Sequence, residues 1–151
     1  MGNIEERFEV SSLSTGITEA DGGGATWKDI WDFRVPLNIR IVLKPTDIFS
    51  CYLDGDDAAE MPATTQVRLL HRDVANEQSK PLIRAMLYAQ LKDFQDKDKI
   101  IRLQIPKALV IGPSEHIVVQ VNGADATGTG DIDASDSYFK VVTNRIRRSL
   151  D

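Results

Sequence analysis

Between Phe33 and Leu43 the chain alternates with a period of two. Phe33, Val35, Leu37, Ile39, Ile41 and Leu43 are apolar; Arg34, Pro36, Asn38 and Arg40 fall between them, with Val42 the one departure. Successive side chains of an extended strand point to opposite faces, so this pattern puts one face in a core and the other in water. Pro36 cannot donate to a ladder and marks an edge, a bulge or a break between two shorter strands. Lys44-Pro45-Thr46-Asp47 reads as a turn, and Ile48 to Leu53 as the next strand.

The same reading continues along the chain. Thr65 to Arg72 alternates, with Val67, Leu69 and His71 on one face. Pro81 to Asp93 fits two patterns: Leu82, Met86, Leu87 and Leu91 suit a helix, whereas Ile83, Ala85, Leu87, Ala89 and Leu91 suit a strand. The β character of every neighbouring segment tips the reading to strand. Ile100 to Ile105, Glu115 to Val121 and Tyr138 to Ile146 complete the set, with Gly112-Pro113 and Asn122-Gly123 as turn signals. About seven short strands separated by turns predict an all-β fold, an antiparallel β-sandwich of jelly-roll-like form. Crossover helices at the intervals a parallel sheet needs are missing.

Residues 1–26 differ in composition from the rest. Val10 to Gly16 and Asp21 to Thr26 are rich in Ser, Thr and Gly, and three consecutive glycines carry a large ordering cost. The expected organisation is a flexible N-terminal arm over 1–26 and a sandwich domain over 27–151. Phe8, Val10, Leu13 and Ile17 would anchor such an arm on a partner. Trp27 and Trp31, at its junction with the body, are further candidate anchors, the alternative being a hydrophobic cap on one end of the sandwich.

The 151 residues carry 18 Lys and Arg against 23 Asp and Glu, a net charge of −5, which disfavours binding to a phosphate backbone. No apolar run is long enough to cross a bilayer. One cysteine, Cys51, rules out an intramolecular disulfide framework and a Cys-based zinc site, and its apolar strand makes it a core residue rather than a nucleophile. Met1-Gly2 opens like an acylation signal, but Glu6 stands where Ser or Thr is required. These features suit a reducing, cytosol-like compartment.

Catalytic chemistry finds little purchase. His71 aligns with Val67 and Leu69 as a partly buried strand residue, and His116 lies opposite Ile117, Val119 and Val121, facing solvent. Neither a Gly-x-Ser-x-Gly elbow nor a phosphate-cradling glycine loop is present. The reading is a non-enzyme without a cofactor. Two acidic stretches are weak calcium candidates, Asp54, Asp56 and Asp57 in one and Asp131 and Asp133 in the other, against the plainer reading of solvated loops. The carboxyl end is basic, with Lys140, Arg145, Arg147 and Arg148. Acidic loops and a basic end on one molecule suit lattice or head-to-tail contacts.

Two stretches carry a resemblance: Trp27-Lys28-Asp29-Ile30-Trp31-Asp32-Phe33-Arg34-Val35-Pro36, leading into the long alternation, and Asp133-Ala134-Ser135-Asp136-Ser137-Tyr138-Phe139-Lys140, leading to the basic end. In layout over residues 27–148 the chain resembles the small β-sandwich decoration, or cement, proteins of tailed-phage capsids. The resemblance implies a structural virion protein, made in the host cytoplasm, that binds the outer surface of the major capsid protein lattice and stabilises it. Many members of that family use an extended terminal arm. No motif maps individual contact residues. A homo-oligomer, dimer or trimer, is the expected state, because edge strands and an arm invite self-association. The competing class is a carbohydrate- or ligand-binding sandwich, including a tail or baseplate component. It would display coplanar aromatics on one sheet face, whereas Tyr52, Tyr88 and Tyr138 are scattered along the chain.

Overall fold

A computed structural model describes residues 3–12, 27–52, 65–75, 78–96, 100–122 and 137–148. Among the described residues, ten strands and one helix run in the order β1 (Asn3–Ser11), β2 (Lys28–Arg34), β3 (Ile39–Leu43), β4 (Ile48–Tyr52), β5 (Gln66–Arg72), β6 (Ser79–Leu87), α1 (Tyr88–Asp96), β7 (Ile101–Arg102), β8 (Leu109–Ile111), β9 (His116–Asn122) and β10 (Tyr138–Arg148). Every pairing between them is antiparallel.

The first sheet is organised by β10, the longest strand. One edge pairs with β1 from Asn3↔Arg148 to Ser11↔Lys140. The other pairs with β4 along its first half and β3 along its second. β3 and β4 are therefore one broken strand, and β8 and β7, which pair outside them, form another. The break in β3–β4 is the Lys44–Asp47 turn, opposite Thr143. There Asp47 N donates to Lys44 O (2.9 Å) and Lys44 N to Asp47 Oδ2 (2.8 Å). Thr143 Oγ1 lies 2.6 Å from Val42 O and 2.8 Å from Asp47 Oδ2, sharing its one proton between a backbone carbonyl at the break and the carboxylate oxygen that Lys44 N also serves.

The second sheet has the order β2-β9-β5-β6. Counting each broken strand once, the two sheets read 1-8-3-6 and 2-7-4-5, which is jelly-roll order. The expected all-β sandwich is the observed architecture.

Its core follows from the inward faces. Trp31 of the second sheet stacks on Phe139 of the first (5.8 Å between ring centroids), and Phe139 on Phe49 (6.4 Å). Ile41, Leu43, Leu69, Ile111, Ile117 and Val119 surround them with no exposed surface. Val67, Leu69 and His71 do share the inward face, as their spacing predicts, and Cys51 is buried, which pushes its thiol well above the ordinary range.

Four expectations are corrected. Leu37 does not continue the inward row: Pro36 marks a break, one of the three readings open to it, Leu37 and Asn38 form a turn, and Leu37 stands outside the core, 77% exposed. The Pro81–Asp93 segment is strand as far as Leu87 and helix from Tyr88, because Tyr88 and Leu91, one turn apart, bury together beside β4 and β6. The strand expected over Ile100–Ile105 stops at Arg102. Leu103 N donates to Asp47 O (3.0 Å) and Gln104 N to Leu82 O (2.8 Å), so this segment stitches one sheet to the other instead of extending either.

The fourth correction concerns the arm. Residues 3–11 of it are β1, held along its length by β10, with Val10 fully buried, Phe8 packed on Phe33 (6.5 Å), and Ser12 Oγ accepting from Phe139 N (2.8 Å). Burying Phe8 and Val10 offsets the ordering cost of this stretch. Leu13, Ile17 and the glycine run lie outside the described residues.

Candidate interaction surfaces

The expected partner anchors separate into distinct places. Trp31 is 1% exposed at the centre of the core and offers nothing to a partner. Trp27 is half-buried at the start of β2, and the Arg68 guanidinium sits 3.9 Å over its ring. Phe8 and Val10 belong to β1 and face the core. Arg145 and Arg147 lie on the inward side of β10, where both donate from Nε to Glu6 Oε1, at 2.7 and 2.9 Å. The Arg145 guanidinium also lies 4.9 Å from the Phe8 ring centroid. The Arg145 hydrogen bond, with Arg147 behind it, holds the Glu6 carboxyl below its usual range. Much of the basic end is thus neutralised within the sheet. Arg148 pairs with Asn3 in register, and its side chain lies outside the described residues, as do Asp54, Asp56, Asp57, Asp131 and Asp133.

A second network covers the outward face of the second sheet. Arg72 grips Asp29 in bidentate fashion (2.7 and 3.0 Å), Gln120 Nε2 donates to Asp29 Oδ1 (2.6 Å), and Arg68 donates to Gln120 Oε1 from two nitrogens (2.9 and 2.7 Å). Trp27, Arg68, Gln120, Asp29 and Arg72 form one continuous chain across β2, β9 and β5. The Arg72 hydrogen bond holds the Asp29 carboxyl low, and Asp29 in turn raises Arg72. Desolvation lowers Arg68, and the nearby Arg72 charge lowers it further. Leu70 and Val118, paired in register between the Arg68/Gln120 and Arg72/His116 rows, are almost wholly buried.

Both histidines sit beside the turn that leads into β9. His71 Nε2 lies 2.7 Å from Glu115 Oε2, and His116 Nδ1 lies 2.7 Å from Asp32 Oδ1. His116 faces away from Ile117, as expected, but only 13% of its side chain is exposed, so it is not the solvent-facing residue its spacing suggests. The turn itself, Gly112-Pro113-Ser114-Glu115, places Ser114 at φ 66°, the left-handed region required at the third position of a type II turn. Glu115 Oε1 accepts from Gly112 N (2.6 Å), and Ser114 Oγ accepts from Arg34 (3.2 Å), so the turn is braced from both sides. Among the described residues, no group of three or more His, Cys, Asp or Glu side chains is arranged to hold a metal ion.

Among the described residues, two surfaces stand out for contact. One is a cavity of about 500 Å³ at one end of the first sheet, where β1, β10 and β3 terminate and Leu37, Asn38, Arg40, Pro113, Ile146 and Arg147 surround an open mouth. It mixes apolar walls with the Arg40 guanidinium and with Arg147, which is already engaged by Glu6. The other is the outward face of that sheet. There Tyr52 and Tyr138, 86 positions apart in sequence, are direct partners in the β4–β10 register and stack at 5.9 Å with an interplanar angle of 10°. They are 42% and 41% exposed, and Val110, 51% exposed, lies on the same face beside Val42. Glu5, Arg7 and Glu9 line the outward side of the neighbouring β1, with Lys44–Glu5 and Lys140–Glu9 pairs at 3.4 and 3.5 Å. Sequence spacing could not bring the two tyrosines together; only the strand register does.

Among the described residues, no helix is long and apolar enough to cross a membrane. No protein-family model matches the chain, and no curated protein is detectably similar to it.

Proposed function

We propose that the chain is a structural virion protein, a decoration protein that binds the outer surface of a major capsid protein lattice and adds to its stability. The observation that carries this reading is the contrast between a braced interior and an adhesive face. The ionic groups of Glu6, Asp29, Arg72, Arg145 and Arg147 engage partners within their own sheets, whereas Tyr52, Tyr138 and Val110 remain exposed on the outward face of the first sheet. Tyrosine supplies large contact area at low conformational cost and dominates many interfaces. A protein that binds the assembled lattice and not the free subunit transfers its binding energy to the shell by linkage, and many copies need only modest individual affinity.

The deciding experiment locates the chain on particles by labelling or imaging and then measures co-sedimentation with shells stripped of it. Occupancy on the outer surface, a higher shell melting temperature on re-addition, and at least about tenfold weaker binding by the Tyr52→Ser, Tyr138→Ser double variant are the expected results. Absence from purified particles overturns the reading. A second reading, a carbohydrate- or ligand-binding module, gains from the same Tyr52–Tyr138 pair, since paired aromatics on a sheet face are what such a module displays. Glycan-array binding that is lost in the double variant, with no sedimentation on shells, would favour it.

A further inference from the structure

The two sheets end in four edges, and three are blunted. β8 is only three residues long. β2 is interrupted by a bulge between Asp29 and Trp31. β6 carries Pro81, pairs irregularly with β5, and is stitched to the opposite sheet through Leu82 O and Gln104 N. Short strands, bulges, prolines and covering segments are the devices by which sheets avoid edge-to-edge pairing. Among the described residues, β1 has none of these four; what it carries is charge, Glu5, Arg7 and Glu9 along its outward side and Glu6 inward on Arg145 and Arg147. It is nine residues long, pairs with β10 through nine consecutive positions without a bulge, contains no proline, and pairs with no other described strand.

We propose that β1 pairs antiparallel with β1 of a second copy of this chain, centred on Phe8, to make a dimer with one continuous sheet. The occupant is argued from charge. The outward side of β1 reads Asn3, Glu5, Arg7, Glu9, Ser11, and a two-fold axis sets each residue against its counterpart in reverse order. Only registers that oppose odd with odd positions keep both outward faces on one side. Centring on Arg7 places Arg7 against Arg7 and Glu5 against Glu9, all like charges. Centring on Glu6 pairs Arg7 with Glu5 but sets Glu6 against Glu6. Centring on Phe8 places each Arg7 opposite the partner copy's Glu9, and Phe8 against Phe8 on the inner side, so both faces contribute favourable cross-strand pairs. Arg7 is available for this: its side chain is 75% exposed, and its contact with Glu9 of the same strand spans 3.8 Å.

This inference does not depend on the virion reading, and its test needs only the purified full chain. Sedimentation equilibrium over a concentration series should give twice the 16.8 kDa chain mass. Arg7→Glu should weaken the dimer at least about tenfold, since two attractive cross-strand pairs become repulsive. The double variant Arg7→Glu, Glu9→Arg should restore it, because the swapped charges meet again across the axis. Circular dichroism and thermal melting confirm that each variant is folded. A monomer at every concentration overturns the proposal, as does a dimer indifferent to Arg7→Glu. Restoration by Arg7→Glu, Glu5→Arg, with none by the Glu9 swap, overturns the Phe8-centred register.

Discussion

Thr143 occupies the one point on β10 where the partner strand breaks, and its hydroxyl lies within hydrogen-bond distance of both Val42 O and Asp47 Oδ2. Replacing it with valine keeps the shape and removes the bonds, leaving a buried carbonyl short of a donor. Thr143→Val should lower stability by about 1–3 kcal/mol in denaturant titrations. Asp29 acts through its charge. Its carboxyl is held below the ordinary value by Arg72, so the folded state favours the ionised form. That contribution is present above about pH 4, the range in which an unfolded aspartate ionises, and is lost as the pH falls through the lower folded value. Wild-type stability should therefore decline on acidification. Asp29→Asn should start lower at neutral pH and decline less steeply, as followed by thermal melts across pH 2–7. The effect is modest, because the Asp29 side chain is 39% exposed and water screens the pair.

At the scale of elements, β1 has become part of the body. Deleting residues 1–12 uncovers the edge of β10 and removes the burial of Phe8 and Val10, about 1.5–3 kcal/mol each. The truncated chain should melt at a clearly lower temperature and with less cooperativity; an unchanged melt would show that β1 is dispensable. The elements legible in the sequence were those whose alternation is undisturbed, such as β5 with Val67, Leu69 and His71. Most of β2 was not, because the bulge after Asp29 buries Ile30 and Trp31 in succession and breaks the period of two. β1 was hidden by Glu6, a charge on the inward face that only its distant partners Arg145 and Arg147 explain. The helix was hidden because its packing surface, the flank of β4 and β6, exists only after the sheets assemble. The exposed aromatic face was illegible for the same reason: Tyr52 and Tyr138 meet through register, not spacing.

At the scale of the molecule, the jelly roll joins its first and last strands, so residue 3 must find residue 148 before the first sheet is complete. Few of the defining contacts are local. Refolding should accordingly take milliseconds to seconds, as expected for sandwiches dominated by distant pairings, and should be slower still when β1 is weakened. Stopped-flow tryptophan fluorescence reports it directly, since Trp31 sits against Phe139 between the two sheets. Microsecond refolding would contradict the role assigned to these long-range pairings.

The antiparallel register of β1 on β10 also sets how the molecule bears load. With Asn3 opposite Arg148, tension applied through the two termini falls on a single rung at a time, and the pair unzips from that corner. Force delivered across the broad faces is instead shared by whole sheets clamped through Trp31, Phe139 and Phe49. A module built this way resists being pressed or sheared against a surface far better than being drawn out by its ends.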